Sequence, residues 1–517
     1  MKSYSSLFRR KSAAQLALDA ESSSLKRTLT AFDLTMLGIG AIVGTGIFVL
    51  TGEAAAGTKD ALGAGPAITI SFIITGLACG FAALCYAEFA SMIPISGSAY
   101  TYAYASFGEI VAWIIGWDLI LEYAIGNVAV AIGWAGYFKN FLNGLGLHLP
   151  ANLSASTGTE LVLTNGEWQP LTEALKTQLG SSWETLPHVI SLMNLPAFVI
   201  TFVITVMLII GIKESARTNS FLVLIKLGLV GLFLYFGFPH FDPGENWQNF
   251  APNGWNGIMT GAALVFFAYI GFDAVSTTAE ETKNPQRDLP IGMIAALIVC
   301  TILYIAVSAV LTGMVPLNIL ANERPVSAAL EAVGENKVAF LISLGITLTM
   351  PTVLLVMQLG QIRIFYSMSR DGLLPKKFSR VHKRFKTPAY STIAVGLLVG
   401  FLAAFMDIGA VAELTNIGTL FAFVLVAIGV WILRVQQPER TRKFKVPAYK
   451  LICSGAILIC SYLMISLPLI TWLRFIIWMV VGLAIYFIYS KKHSELNDSK
   501  VPPHNKGTSV NDEIPFN

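Results

Sequence analysis

The chain has 517 residues, 55% of them hydrophobic and only 13% charged, with a net charge of +4. Soluble domains carry about 25% charged residues, so the composition excludes a soluble globular protein and makes the bilayer the solvent. The basic residues follow an alternating topology without aromatic platforms between them, which excludes a nucleic-acid binder. The six histidines show no metal-ligand spacing, and no nucleophile–base pair points to a membrane-embedded enzyme.

Residues 1–31 form a polar, basic tail without the short apolar core of a cleavable signal. Apolar runs then predict twelve spans, near 32–53, 66–89, 98–137, 188–210, 218–238, 255–280, 290–313, 338–362, 389–406, 411–433, 450–467 and 472–490. Most of the 35 Lys and Arg residues fall on the side of the N-terminus. The positive-inside rule and an even span count therefore place both termini in the cytoplasm of a multi-pass plasma-membrane protein. The long outer connection at 138–187 contains Trp168 and Trp183 and reads equally as a partly ordered lid or as a spacer. The basic segment Arg370–Pro388 is expected to turn at the cytoplasmic surface, and 491–517 is a second polar tail. All five cysteines fall inside apolar spans, where they read as small core residues.

Two spans, five apart, are interrupted. The first contains Gly38, Gly40, Gly44 and Gly46; the sixth contains Phe267-Ala268-Tyr269-Ile270 followed by Gly271. Glycine costs about 1 kcal/mol in a helix interior, and unpaired backbone is tolerated at membrane depth only where it lines a cavity. Paired breaks of this kind are the sequence pointer to a transporter site at the interface of inverted repeats. The predicted fold is all-α, with a first repeat at 32–238, a second at 239–434, and two peripheral helices at 435–490. At the first break, backbone N–H groups from Thr45 and Gly46 onward, with the Thr45 hydroxyl, suit a carboxylate. At the second, half-helix carbonyls suit an ammonium group, with Phe267 and Ile270 as an apolar wall. Together they read as a receptor for a zwitterion.

Five charged residues within or at the ends of the apolar spans stand out. Lys226 lies at least eight residues from either end of span five, roughly 12 Å deep at 1.5 Å per residue. It must be paired, face a wet cavity or give up its proton, and it is a candidate for proton movement or for standing in place of a cation. Ser343, Thr347 and Thr349 on span eight are its candidate oxygen partners. On span three, Asp118 and Glu122 share one helix face. Asp118 is expected near the interface. Glu122 is open to three roles: neutralising a cationic substrate side chain, carrying a proton, or bracing a neighbouring helix. Asp273 reads as a brace for the second break or a ligand contact. Glu88 reads as a structural residue at the surface.

The segments Phe32–Phe48, Tyr86-Ala87-Glu88, Gly97–Tyr100, Phe266–Glu281, Asn284–Arg287, Arg370–Pro375 and Ala412–Leu420 resemble the amino acid–polyamine–organocation superfamily, specifically bacterial members of the cationic amino-acid transporter family. The resemblance implies a leucine-transporter-like five-plus-five inverted repeat with two added helices. It implies substrate contacts at Ile42, Thr45, Gly46, Phe267, Ala268 and Ile270. Lys226 resembles the span-five lysine that occupies a sodium position and is tied to proton coupling, and Glu122 is similar to a span-three glutamate of bacterial members. Two departures from the animal branch are twelve spans in place of fourteen, and Glu122 itself. The expected activity is proton-coupled symport of cationic or neutral L-amino acids, with amino acid, protons and bilayer as partners and no cofactor. The alternatives are an amino-acid exchanger in which Lys226 is structural, and a channel or substrate sensor on the same fold.

Overall fold

The computed structural model describes residues 7–10, 27–57, 61–92, 98–164, 166–171, 175–176, 179–211, 216–322, 324–385, 387–439 and 442–496. Most of the two expected tails and Gly97 lie outside these residues. Among them, nine helices are long and apolar enough to cross a membrane, and three shorter apolar helices join them, at Leu195–Ile210, Ala389–Phe405 and Tyr449–Ile465.

Helix α1, Ala31–Ile42, starts at a capping box: the Thr30 hydroxyl accepts from Asp33 N–H, and the Asp33 carboxylate accepts from Thr30 N–H at 2.9 Å. It stops where Val43 turns extended, and the chain resumes as a wide π turn, Gly46–Leu50, followed by α2, Thr51–Ala56. Helix α3 covers Ile68–Met92. The expected span 98–137 is two helices, α4 (Ser98–Ser106) and α5 (Glu109–Gly144). Gly108 separates them with φ +102°, in a conformation that favours glycine. There the N-terminal segment packs directly on the chain, with Glu109 N–H donating to Arg9 O at 2.9 Å.

Helix α5 has 36 residues, about 54 Å at 1.5 Å per residue, well beyond the roughly 30 Å of a hydrocarbon core. It is the central pillar. Its middle, from Ile115 to Tyr137, is buried throughout. The connection that follows contains a three-stranded antiparallel sheet in the order β2-β1-β3, built from β1 (Glu160–Thr164), β2 (Glu167–Pro170) and β3 (His188–Ile190). This is the ordered alternative for that loop. The sheet is moored away from the breaks, through Ser156 Oγ to Met406 O at 2.7 Å and Asn194 N–H to Ala404 O at 2.8 Å.

Helices α6 (Leu195–Ile210) and α7 (Ala216–Gly237) precede α8 (Gly254–Val265), which ends at the second break. Helix α9, Pro285–Met314, packs along α3 and α1. After the short α10 (Pro325–Ala332), span eight is a single path kinked at Pro351: α11 (Asn336–Thr349) leads into α12 (Pro351–Arg370). Helix α13 is Ala389–Phe405, and α14, Ile408–Gln436, lies along the pillar α5. The last two, α15 (Tyr449–Ile465) and α16 (Leu469–Ile485), present Leu458, Leu469, Ile476 and Val480 outward.

Glu88 is not at the surface. It is fully buried, takes two hydrogen bonds from Arg434 at 2.8 and 2.7 Å and one from Val446 N–H at 2.8 Å, and pairs with Arg442 at 3.1 Å. A buried carboxylate needs such full pairing, and here it ties the end of α3 to the end of α14 and to the following loop. The five cysteines are buried and free.

Candidate functional site

The two breaks meet. A Cβ on Gly46 would overlap both Cα and Cβ of Ala268, so the first break touches the second backbone to backbone. Past α8 the chain runs as a short 3-10 turn, Phe266–Tyr269. Ile270 is extended, Gly271 takes φ +117°, and an irregular 3-10 stretch, Asp273–Glu281, completes the crossing. At Gly271 a Cβ would press on the Ala41 backbone. Ile42, Thr45, Gly46, Phe267, Ala268 and Ile270 are thus drawn into one buried cluster.

Three polar side chains outside the breaks hold it together. The Tyr304 hydroxyl of α9 lies 2.8 Å from Ile42 O and 2.9 Å from Ala268 O, donating one proton between the two breaks. Asn416 of α14 donates to Ala263 O at 2.7 Å and Leu264 O at 3.1 Å, satisfying carbonyls at the end of α8. Tyr137 of the pillar donates to Phe48 O at 2.6 Å. Neither Tyr304 nor Tyr137 was singled out by the sequence, because a tyrosine in an apolar run looks like core. Asn416 stands inside a motif quoted above, the one signal that marked it.

The Thr45 hydroxyl is buried and has no hydrogen-bond partner among the described residues. A buried unpaired hydroxyl is costly, and Thr45 begins the second half-helix, where first-turn N–H groups lack intrahelical acceptors. Donors converge at this point with positive dipole character. On the second break, Ala268 O accepts one bond from Tyr304 and keeps a second lone pair. The arrangement can take a carboxylate on one side and an ammonium on the other.

Lys226 is 1% exposed, and its Nζ donates to Gly40 O at 2.7 Å, so α7 is bound to α1 just before the first break. The three expected oxygen partners all lie on α11. Ser343 accepts from Asn140 Nδ2 at 2.9 Å and shares a proton with Ser327 at 2.9 Å. Thr347 leaves its hydroxyl without a partner while its carbonyl accepts from Trp134 at 2.9 Å. The two residues lie one turn apart on α11, which packs against both α5 and the Lys226 helix α7. Thr349 bonds its own helix, to Gly345 O at 2.8 Å.

Glu122 is 1% exposed and lies beside Thr419 of α14. Asp118 is 0% exposed, sits against Gly418, and neither oxygen has a hydrogen-bond partner among the described residues. Asp273 accepts from Tyr123 at 3.1 Å, which braces the second break to the pillar. No group of three or more His, Cys, Asp and Glu among the described residues is placed to hold a metal ion.

A family model described as amino acid permease matches residues 29–499. The chain is 49% identical to the branched-chain amino acid permease BcaP of Bacillus subtilis, over 95% of this chain and 99% of that protein. It is 48% identical to the methylthioribose transporter of the same organism, over 95% of this chain and 100% of that protein. It is also 38% identical to the vacuolar cationic amino acid transporter 4 of Arabidopsis thaliana, over 80% of this chain and 64% of that protein. The chain belongs to the amino acid permease family, within the amino acid–polyamine–organocation superfamily.

Proposed function

We propose that this permease imports L-amino acids, neutral or cationic, together with protons, by alternating access around the two breaks. The carboxylate of the substrate binds at Thr45 and Gly46, its ammonium binds the carbonyls of Phe267, Ala268 and Ile270, and Ile42 with the Phe267 and Ile270 side chains forms the wall. Lys226 is the proton-coupling residue. While protonated it holds the carbonyl of Gly40 and keeps the first break in its binding form. Release of the proton toward the cytoplasm loosens that hold and lets the substrate go. A fixed ammonium also fills the place of a coupling sodium ion, so uptake is independent of sodium. The observation that carries this reading is the buried Lys226 ammonium on Gly40 O.

The topology that goes with it has twelve spans. Residues 32–238 and 239–434 are inverted repeats, 435–490 is peripheral, and both termini lie in the cytoplasm of the cell membrane. The three shorter helices must then cross with 16 or 17 residues each, about 25 Å at 1.5 Å per residue, with flanking residues covering the remainder.

The test is uptake into liposomes under an imposed inward proton gradient, with a panel of amino acids and methylthioribose as competitors. Accumulation of one or more amino acids, lost on collapsing the gradient, is the expected result. Uptake only into liposomes preloaded with amino acid would make the protein an exchanger. Competition by methylthioribose alone would remove the zwitterion from the account, and binding without flux would make it a sensor.

A further inference from the structure

A groove of about 700 Å³ runs along the outer face of α9, lined by Gln286, Arg287, Ile291, Ile294 and Ile298 of that helix and by Lys443 of the loop after α14. It lies at the end of the bundle that carries the N-terminus, and it is separate from the breaks. Its wall is apolar: Ile291 and Ile298 stand exposed one above the other at i and i+7. Its mouth is cationic. Arg287 and Lys443 are both exposed, and among the described residues neither side chain makes a hydrogen bond or an ion pair. Asp288, the acidic neighbour of Arg287, is buried and does not line the groove.

The position of Lys443 is fixed by its neighbours. Arg442 is held by Glu88 and by the carbonyls of Leu433 and Gln437 at 3.1 and 2.9 Å. Phe444 exchanges backbone contacts with Ser91 Oγ. Glu88 is itself saturated by Arg434, Arg442 and Val446, so its charge is not left over to pair with Lys443. The loop is thus anchored on either side of one residue whose charge is free to meet a ligand.

We propose that this groove binds one anionic phospholipid of the leaflet facing the N-terminus, its phosphodiester between Arg287 and Lys443 and one acyl chain along Ile291, Ile294 and Ile298. Basic pockets at the end of a transmembrane helix on the cytoplasmic side recognise anionic headgroups in this way. Gln286 and the first turn of α9 add hydrogen-bond donors to the headgroup. A zwitterionic lipid fits the apolar wall equally well and gains little from the two cations, so charge sets the preference. The site depends on the membrane and not on the transport mechanism.

The experiment uses the full chain in detergent, with phosphatidylglycerol and phosphatidylcholine as probes and retention of each lipid read by native mass spectrometry. Phosphatidylglycerol should be retained over phosphatidylcholine. The Arg287→Gln/Lys443→Gln double variant should lose roughly thirtyfold of that preference, about fivefold for each cation. Arg287→Lys/Lys443→Arg should keep it, which separates charge from folding. Ile294→Trp, with both cations intact, should also weaken retention by filling the groove. An unchanged preference in the neutral double variant would overturn the proposal, and so would unchanged retention in Ile294→Trp. Displacement of phosphatidylglycerol by inorganic phosphate would also overturn it, because the site would then read a free anion and not a lipid.

Discussion

At Gly46 even a methyl group meets the backbone of Ala268. Gly46→Ala as well as Gly46→Val should therefore part the two breaks and abolish uptake, and no charge is altered by either change. Substrate affinity measured on a monodisperse variant checks this; wild-type affinity in either would contradict it. Glu122 sits buried on the pillar beside Thr419, and its substrate role is the proposal tested here. If it reads a cation, Glu122→Gln removes a charge-assisted contact of about 1.5–3 kcal/mol. Competition by arginine or lysine should then weaken at least tenfold more than competition by alanine. Equal weakening of all three would assign Glu122 to folding or proton movement. Residue types made part of this site legible in advance: four glycines in nine positions, and one lysine alone in an apolar span, have few benign explanations. Tyr304 had a benign one, and its partners are backbone carbonyls, which no sequence pattern marks. The burial of Asp118 and Glu88 is hidden for a related reason. Position along a helix does not name the neighbours, here Gly418 against Asp118 and Arg434 with Arg442 around Glu88.

Among the elements, the breaks depend on helices that are themselves continuous. Tyr304 is the joint, one hydroxyl serving carbonyls on two interrupted spans. Tyr304→Phe keeps the ring and removes the proton, leaving both carbonyls short of a donor. A loss of about 0.5–1.5 kcal/mol is expected, seen as a lower melting temperature and a substrate affinity reduced by up to about tenfold. Unchanged values of both would mean that the breaks are held by packing alone. The breaks could be foreseen from glycine density and from their matching positions. The subdivision of span three could not, since Gly108 resembles any other glycine until the N-terminal segment packs on it. The phase of α11 was also illegible: spacing places Ser343 and Thr347 on one face, but only the neighbouring helices decide where that face looks.

For the whole molecule, transport by alternating access needs contacts that close each end of the bundle in turn. At the N-terminal end Arg363 of α12 pairs with Glu281 at 3.0 Å, and Tyr100 of α4 donates to Asp371 at 2.6 Å. The Arg363–Glu281 pair is partly exposed, worth no more than about 1 kcal/mol, small enough to break in the proposed cycle. At the far end Arg324 grips both oxygens of Glu331 at 2.7 Å, on the short α10 that packs over the π turn of the first break. Between these ends stands Lys226, and the central claim is that its proton drives the cycle. The decisive measurement is accumulation of substrate in liposomes driven only by a pH gradient, with wild type, Lys226→Met and Lys226→Arg compared at equal reconstitution. Methionine keeps most of the length without the charge, and arginine keeps a charge that does not leave. Both variants should fail to accumulate substrate while wild type succeeds without sodium. Accumulation against the gradient by Lys226→Met would contradict the account and move the coupling proton to a carboxylate such as Glu122.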